Sequence, residues 1–226
     1  MCIRDRSLQD EVKKAANKFL SLNKPLDILL NNAGIMNRER KETADGLEEV
    51  FSVNHLAYFT LTLMLIDAMK NAGGGRIVNV ASMAYRFVSE MNFDDLQSKA
   101  NYKGLKVYGQ SKLANILFTR SLASKVKEND ITVNCLHPGY VDTGIGLNNK
   151  GFFVRLLMNM GRPFAKKTDK GAETSIYLCA SPKLEQVTGE YFVDCEVEKL
   201  LGAAKSEEQA QKLWSISSEL TGLDLN

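Results

Sequence analysis

The sequence predicts an α/β fold in which a parallel sheet lies between layers of helices. Three observations carry this. Short apolar runs at residues 28–30, 77–80 and 131–136 each follow a stretch of helical periodicity, and such alternation implies one parallel sheet with right-handed crossovers. Each run is nearly unbroken, the mark of a strand buried on both faces. Each also ends in residues that a ligand could use: Asn31-Asn32-Ala33-Gly34, then Ser82, then His137-Pro138-Gly139. The carboxyl ends of parallel strands are where open α/β sheets hold their ligands.

The bulk numbers fit that class. At 226 residues, 44% hydrophobic and 25% charged, the chain suits a single domain, 1–226, with one core. The net charge of +2 comes from scattered residues with no basic stripe between aromatics, so no nucleic acid is expected as a partner. Cys2, Cys135, Cys179 and Cys195 never fall at Cys-x-x-Cys spacing, and the two histidines, His55 and His137, make no ligand cluster, so no metal is expected and the thiols are read as reduced. The most apolar stretch, 50–69, is interrupted by Ser52, Asn54, His55, Thr60, Thr62 and Asp67, too polar for a membrane span. Residues 1–6 carry charge with no apolar core behind it, unlike a signal peptide. The expectation is a soluble, cytoplasmic protein, with an anchor upstream of these residues left open.

Taken in order, residues 7–20 predict an amphipathic helix through Leu8, Val12, Ala15, Ala16 and Phe19, with Ser7 and Asp10 as cap candidates. The first strand follows, and its end at 31–34 is either a ligand-binding edge or a plain polar turn. Asp45 reads as an N-cap and Glu48 as its capping-box partner, opening a helix to about residue 69. Within it, Asn54 is either a satisfied core amide or a site group. His55 reads as a packed or surface histidine. Gly73-Gly74-Gly75 breaks the helix, and the next strand delivers Ser82. A loop over 85–103, with a short turn at 92–96, leads to the stretch around which the rest is arranged.

That stretch is a long helix starting near residue 106. It carries Tyr108 and Lys112, four residues apart and therefore on one face. An ammonium beside a phenol favours phenolate, so Lys112 is expected to pull Tyr108 down from about 10 and to fit it for proton transfer near neutral pH. The same spacing recurs at Tyr102 and Lys106, in a polar stretch of loop composition, whereas Tyr108 leads into an apolar run that holds it on a rigid element. Gly109, Ser111 and Ala114 are small, leaving room for a ligand or another helix. Beyond the third strand, the methionine-rich segment 147–164 is either core or a lid over an apolar substrate. Residues 168–180 predict a helix with Thr168 as its N-cap, 190–194 a last strand, and 206–220 a terminal helix containing Trp214.

These motifs, in this order and spacing, resemble the short-chain dehydrogenases/reductases from about Ser7 onward: Asn31-Asn32-Ala33-Gly34, Asn54 within Phe51-Ser52-Val53-Asn54-His55-Leu56, Ser82, Tyr108 with Lys112, and His137-Pro138-Gly139. Thr43-Ala44-Asp45-Gly46-Leu47-Glu48, with the wide gap between Ser82 and Tyr108, is similar to the retinol-dehydrogenase-like branch. The resemblance implies a Rossmann-like, doubly wound parallel sheet and an oxidoreductase passing hydride between NADP, or NAD, and a lipophilic alcohol or carbonyl. It implies that Tyr108 is the acid or base, that Lys112 lowers its pKa and bonds the nicotinamide ribose, that Ser82 holds the substrate oxygen, and that Asn54 holds a water linking Lys112 to solvent. Asn32, Ala33, Gly34, Pro138, Gly139, Val141 and Thr143 would line the cofactor together with Tyr108 and Lys112. The apolar helices 50–69 and 108–126 would suit a homodimer interface.

One departure qualifies this. The family opens with a strand, a glycine-rich Thr-Gly-x-x-x-Gly-x-Gly turn and a helix whose N-terminus binds the pyrophosphate, and no such segment precedes residue 7. The resemblance therefore implies a chain truncated at its amino terminus, lacking the first strands and the glycine-rich loop. An alternative from another class follows: an inactive fragment that binds a partner protein or dimerises. A third is a fragment left unstable by its exposed sheet edges.

Overall fold

Five strands make one sheet in the order β1 (Ile28–Asn31), β2 (Gly75–Val80), β3 (Ile131–His137), β4 (Tyr191–Val193) and β5 (Glu196–Val197) in the computed structural model, which describes residues 6–139 and 168–225. The first four are parallel neighbours and β5 turns back antiparallel on β4. The register sets Asn31 against Asn79 and Val80 against Leu136, so three strand ends open onto one edge. The β4–β5 hairpin turns at Asp194 and Cys195, both at positive φ, as a two-residue turn requires. The sequence pattern had not disclosed β5.

The helices are α1 (Gln9–Leu20), α2 (Glu49–Asn71), α3 (Gly104–Lys125), α4 (Thr168–Ala180) and α5 (Glu207–Thr221). On one face of the sheet α2 and α3 cover Leu29, Ile77 and Val133, with α1 packed outside α2 and α5 outside α3. On the other face Val78, Val80, Leu136 and Phe192 meet Leu178 of α4 and Leu184. The split of Ile77 from Val78 is the strand's period of two, with apolar side chains sent both ways. The edge strand β1 departs from the expected two-sided burial. Leu29 and Asn31 are buried, but Ile28 and Leu30 are 44% and 42% exposed. They face the α4 side, where α4 lies mainly on β2 and β3.

The buried polar groups are cross-linked behind the strand ends. Asn31 Nδ2 donates to Asn79 Oδ1 at 2.9 Å and to Thr62 Oγ1 at 3.0 Å, and Asn79 Nδ2 donates to Thr119 Oγ1 at 2.9 Å. This network joins β1, β2, α2 and α3, and its members could not shift register without stranding a buried amide.

Two cap assignments change. Residues 41–49 close a tight loop, with Thr43 N donating to Leu47 O and Glu42 bridged to Glu48. Asp45 is thereby turned toward α1, where its Oδ2 accepts from Gln9 N at 2.8 Å. Glu48 is itself the N-cap of α2, its carboxylate accepting from Val50 N at 2.9 Å and Phe51 N at 2.7 Å. Neither Ser7 nor Asp10 caps α1; its N-cap position is Leu8, so the bond to Gln9 N comes from Asp45 across the fold. Ser206 caps α5 by accepting from Gln209 N, and Gly222 ends it in the left-handed region at φ 69°.

Helix α2 is long and apolar enough to cross a membrane, at mean hydropathy 1.3, but 83% of that window is buried inside the fold, as in a core helix. The faces offered to a second copy are also used internally. Trp214 of α5 stacks on Phe118 of α3 and meets Phe59 of α2 edge-on at 5.0 Å, while α1 packs along α2. These faces of α2 and α3 are thus covered, in part, by the chain's own α1 and α5.

Candidate active site

Ser82 lies at the carboxyl end of β2. The strand continues through Ala81, whose N–H donates to Leu136 O at 2.8 Å, and stops because Ser82 caps a short 3-10 turn at Met83–Phe87. Its Oγ accepts from Ala84 N at 3.2 Å, which fixes the hydroxyl. The turn lies on α3 beside Tyr108. Gly109 permits this contact: a Cβ there would stand 2.7 Å from the Ala84 carbonyl oxygen. The room left by that small residue thus receives the Ser82 turn, which brings the Ser82 hydroxyl close enough to the Tyr108 phenol to act on its proton binding.

Lys112 follows one turn later on α3, buried, with Nζ 5.5 Å from the Tyr108 ring centroid and donating to Val80 O at 3.0 Å. The electrostatics differ from the expectation of a phenol lowered by its lysine. Burial pushes Tyr108 above its ordinary value, with the nearby Ser82 hydroxyl opposing, and burial takes Lys112 down to about 7. Desolvation outweighs the pair's attraction because the Lys112 bond runs to a backbone carbonyl.

Asn54 is a satisfied amide, and it lies beside Gly34 together with Lys112. It lies in a wide π turn of α2, Ser52–Leu56, a feature that often marks functional positions. Oδ1 accepts from Ile35 N at 2.8 Å, and Nδ2 donates to Ile35 O and to Ser111 Oγ, both at 2.9 Å. Asn54 thus clamps the loop after β1 to the helix turn that carries Lys112. One lone pair on Oδ1 remains for a water. Between the two elements lies Gly34, where a Cβ would stand 3.3 Å from Lys112 Nζ and 3.4 Å from Asn54 Oδ1.

Asn32 is exposed and Ala33 half-buried beside this notch. Tyr58, one turn beyond Asn54, donates from its hydroxyl to Ala33 O at 2.8 Å and holds the loop in place. A cleft of about 160 Å³ runs past Asn31, Asn32, Ala33 and Tyr58. Pro138 and Gly139 follow β3 on the same sheet edge, Gly139 at φ 81°. Val141, Thr143 and the methionine-rich segment 147–164 lie outside the described residues. Tyr58, Ser111 and the Val80 carbonyl were missed from sequence; for Tyr58 the four-residue spacing from Asn54 was the available signal.

The motif order now has a geometry: Ser82, Tyr108, Lys112, Asn54 and Gly34 converge at one edge of a parallel sheet. A profile of the short chain dehydrogenase family matches residues 3–150. The chain belongs to this family. Retinol dehydrogenase 14 of Homo sapiens is 44% identical over 214 residues, which cover 94% of this chain and 63% of that protein. The chain thus spans somewhat under two thirds of the length of that relative. A solved structure of an uncharacterized protein from Mycobacterium paratuberculosis superposes with a TM-score of 0.75 at 26% identity, over 98% of this chain and 75% of that one. Another, described as an NAD(P)-dependent gluconate 5-dehydrogenase from Beutenbergia cavernae with bound NADP, gives a TM-score of 0.65 at 26% identity, over 84% and 72%. The fold is accordingly Rossmann-like, as the resemblance implied.

Proposed function

We propose that this protein is an NAD(P)-dependent oxidoreductase that interconverts an alcohol and a carbonyl, and that its substrate is lipophilic. The observation that carries the reading is the convergence of the Ser82 and Tyr108 hydroxyls with Lys112 at the sheet edge. Tyr108, raised by burial, is a neutral phenol at pH 7 and is the acid for carbonyl reduction. Ser82 has its hydroxyl oriented by the Ala84 N–H and holds the substrate oxygen, stabilising negative charge as it develops there. Lys112, when protonated, supports the phenolate that Tyr108 leaves behind. Asn54 keeps the Gly34 loop and the Lys112 turn in register.

The residues suit a nicotinamide dinucleotide. The notch at Gly34 is bordered by Lys112 Nζ and Asn54 Oδ1 and would be narrowed by a Cβ, which suits the close approach of a polar ligand. Asn32, Ala33, Gly34, Pro138 and Gly139 would line that ligand, and Lys112 would bond it. When bound, the dinucleotide gives or takes the hydride. The NADP in the Beutenbergia structure supports the phosphorylated form.

The lipophilic substrate rests on an apolar rim. Met83 and Phe87, in the turn that Ser82 caps, are 46% and 63% exposed, and Leu105, three residues before Tyr108, is 55% exposed. Large apolar side chains bared beside reactive hydroxyls fit a long hydrocarbon, in keeping with the name of the retinol dehydrogenase relative. The test is oxidation of NADPH by retinal against a short polar aldehyde. Turnover favouring retinal, with its KM raised several-fold in Phe87→Ser, is expected; equal turnover of both aldehydes, or none with either, rejects the reading.

A further inference from the structure

Behind Lys112 runs a buried polar path to which the proposed chemistry gives no part. His55 follows Asn54 in the π turn of α2 and is enclosed by Phe51, Phe59 and Phe118, with ring centroids at 5.1, 6.3 and 6.0 Å. An imidazole in such surroundings needs partners for its nitrogens. Nε2 lies 2.8 Å from Ser217 Oγ on α5. Nδ1 and the amide oxygen of Asn115 on α3 are each buried with no hydrogen-bond partner, a donor site and an acceptor that are each other's complement, and Asn115 is the side chain that acts on the proton binding of the ring. Asn115 in turn donates from Nδ2 to the Val80 carbonyl at 3.3 Å. That oxygen is the one on which Lys112 Nζ rests at 3.0 Å.

We propose that His55 is a positioning residue for Lys112: anchored by Ser217 of the C-terminal helix, it orients the Asn115 amide and thereby the shared Val80 carbonyl that seats the Lys112 ammonium. The chemistry of the groups sets the tautomer. Asn115 Oδ1 can only accept, so Nδ1 carries the proton and Nε2 accepts from the Ser217 hydroxyl. Because Val80 precedes Ser82 by two residues, the same anchor steadies the strand end that presents the serine. Ser217 is itself backed by Thr221, whose Oγ1 donates to Ser217 O at 2.8 Å, and Thr221 O accepts from Lys13 of α1. Helix α5, remote from the sheet edge, thereby contributes to the geometry of the site.

The inference rests on Lys112 having the role proposed above, and its test separates the two. His55→Leu keeps bulk and removes both ring nitrogens; His55→Gln retains a donor and an acceptor; Ser217→Ala removes the anchor. The expected result is a kcat lower by about tenfold in His55→Leu with the aldehyde KM little changed, most of it restored in His55→Gln, and an intermediate loss in Ser217→Ala. A kcat at the parent level in folded His55→Leu, or an equal loss in Leu and Gln variants, overturns the proposal. Thermal unfolding of His55→Leu, Lys112→Met and the double variant gives a readout without turnover, with Ser217→Ala taking the place of His55→Leu if that variant does not fold. Non-additive Tm shifts are expected, and additive ones overturn the inference. A parent protein without turnover but with coupled Tm shifts counts against the dehydrogenase reading alone.

Discussion

At the scale of single residues, the site depends on how burial divides protons between Tyr108 and Lys112. Tyr108 is raised and Lys112 is brought to about 7, so at neutral pH the phenol is protonated and the lysine about half charged. Replacing Tyr108 by Phe removes the proton donor and leaves the packing, and it should lower kcat by about 10²–10⁴-fold with dinucleotide binding nearly intact, checked by turnover and fluorescence titration. For Lys112 the sign is fixed by its charge. As pH rises through about 7 the ammonium that supports the phenolate is lost, so kcat/KM for carbonyl reduction should fall on that side. Lys112→Arg keeps its charge and should flatten that limb at a lower rate, as a pH profile would reveal. Gly34→Ala puts a methyl 3.3 Å from Lys112 Nζ and 3.4 Å from Asn54 Oδ1, and it should raise the dinucleotide Kd about tenfold or more. Tyr108, Lys112, Ser82 and Gly34 were legible because a helical repeat or a strand end determines where such residues point. The direction of the Tyr108 shift was not. It depends on how far each group is withdrawn from water, which the spacing of two letters does not contain.

At the scale of elements, what the sequence concealed were contacts made across the fold. Helix limits could be read closely, as with α5, where Ser206 caps and Gly222 ends the helix. The cap of α1 could not, because its partner is Asp45, 36 positions away, and a capping-box pattern within one segment resembles two separate roles. The π turn at Ser52–Leu56 was equally hidden, since one extra residue in a turn leaves the apolar density of α2 unchanged. The covering of α2 and α3 by α5 has the same origin. Apolar faces on α2 and α3 look alike whether a second copy or the chain's own α5 covers them, and Trp214 decides for α5. It is buried against Phe59 and Phe118, and its Nε1 donates to Asp224 at 2.7 Å. Trp214→Ala should therefore cost about 3–5 kcal/mol in denaturant unfolding and bare the faces that it covers.

At the scale of the whole molecule, the candidate site is carried at a cost in stability, and that cost has a pH signature. Two basic side chains are buried far from water. Lys112 binds its proton with a pKa of about 7 in the fold against 10.5 for a free lysine, and His55 with about 3 against 6.5. In both windows the unfolded chain holds more protons than the folded one, and stability then rises with pH. The His55 contribution erodes stability as pH falls from 6.5 toward 3. The Lys112 penalty is full below about 7 and fades as pH climbs toward 10.5. Above about 10 the buried Tyr108, raised in the fold, works the other way, because the unfolded chain then loses its phenolic proton first. The Tm should accordingly rise from pH 7 to about 9 and fall on either side. A neutral side chain at position 112 removes the penalty at its source. Lys112→Met should raise Tm by a few degrees at pH 7, where replacing a buried charge with an apolar group is often stabilising. It should also shrink the rise between pH 7 and 9, while turnover is lost. An unchanged pH slope in Lys112→Met would mean that the lysine is better hydrated than its burial indicates, and the pH limb assigned to it in catalysis would need another owner.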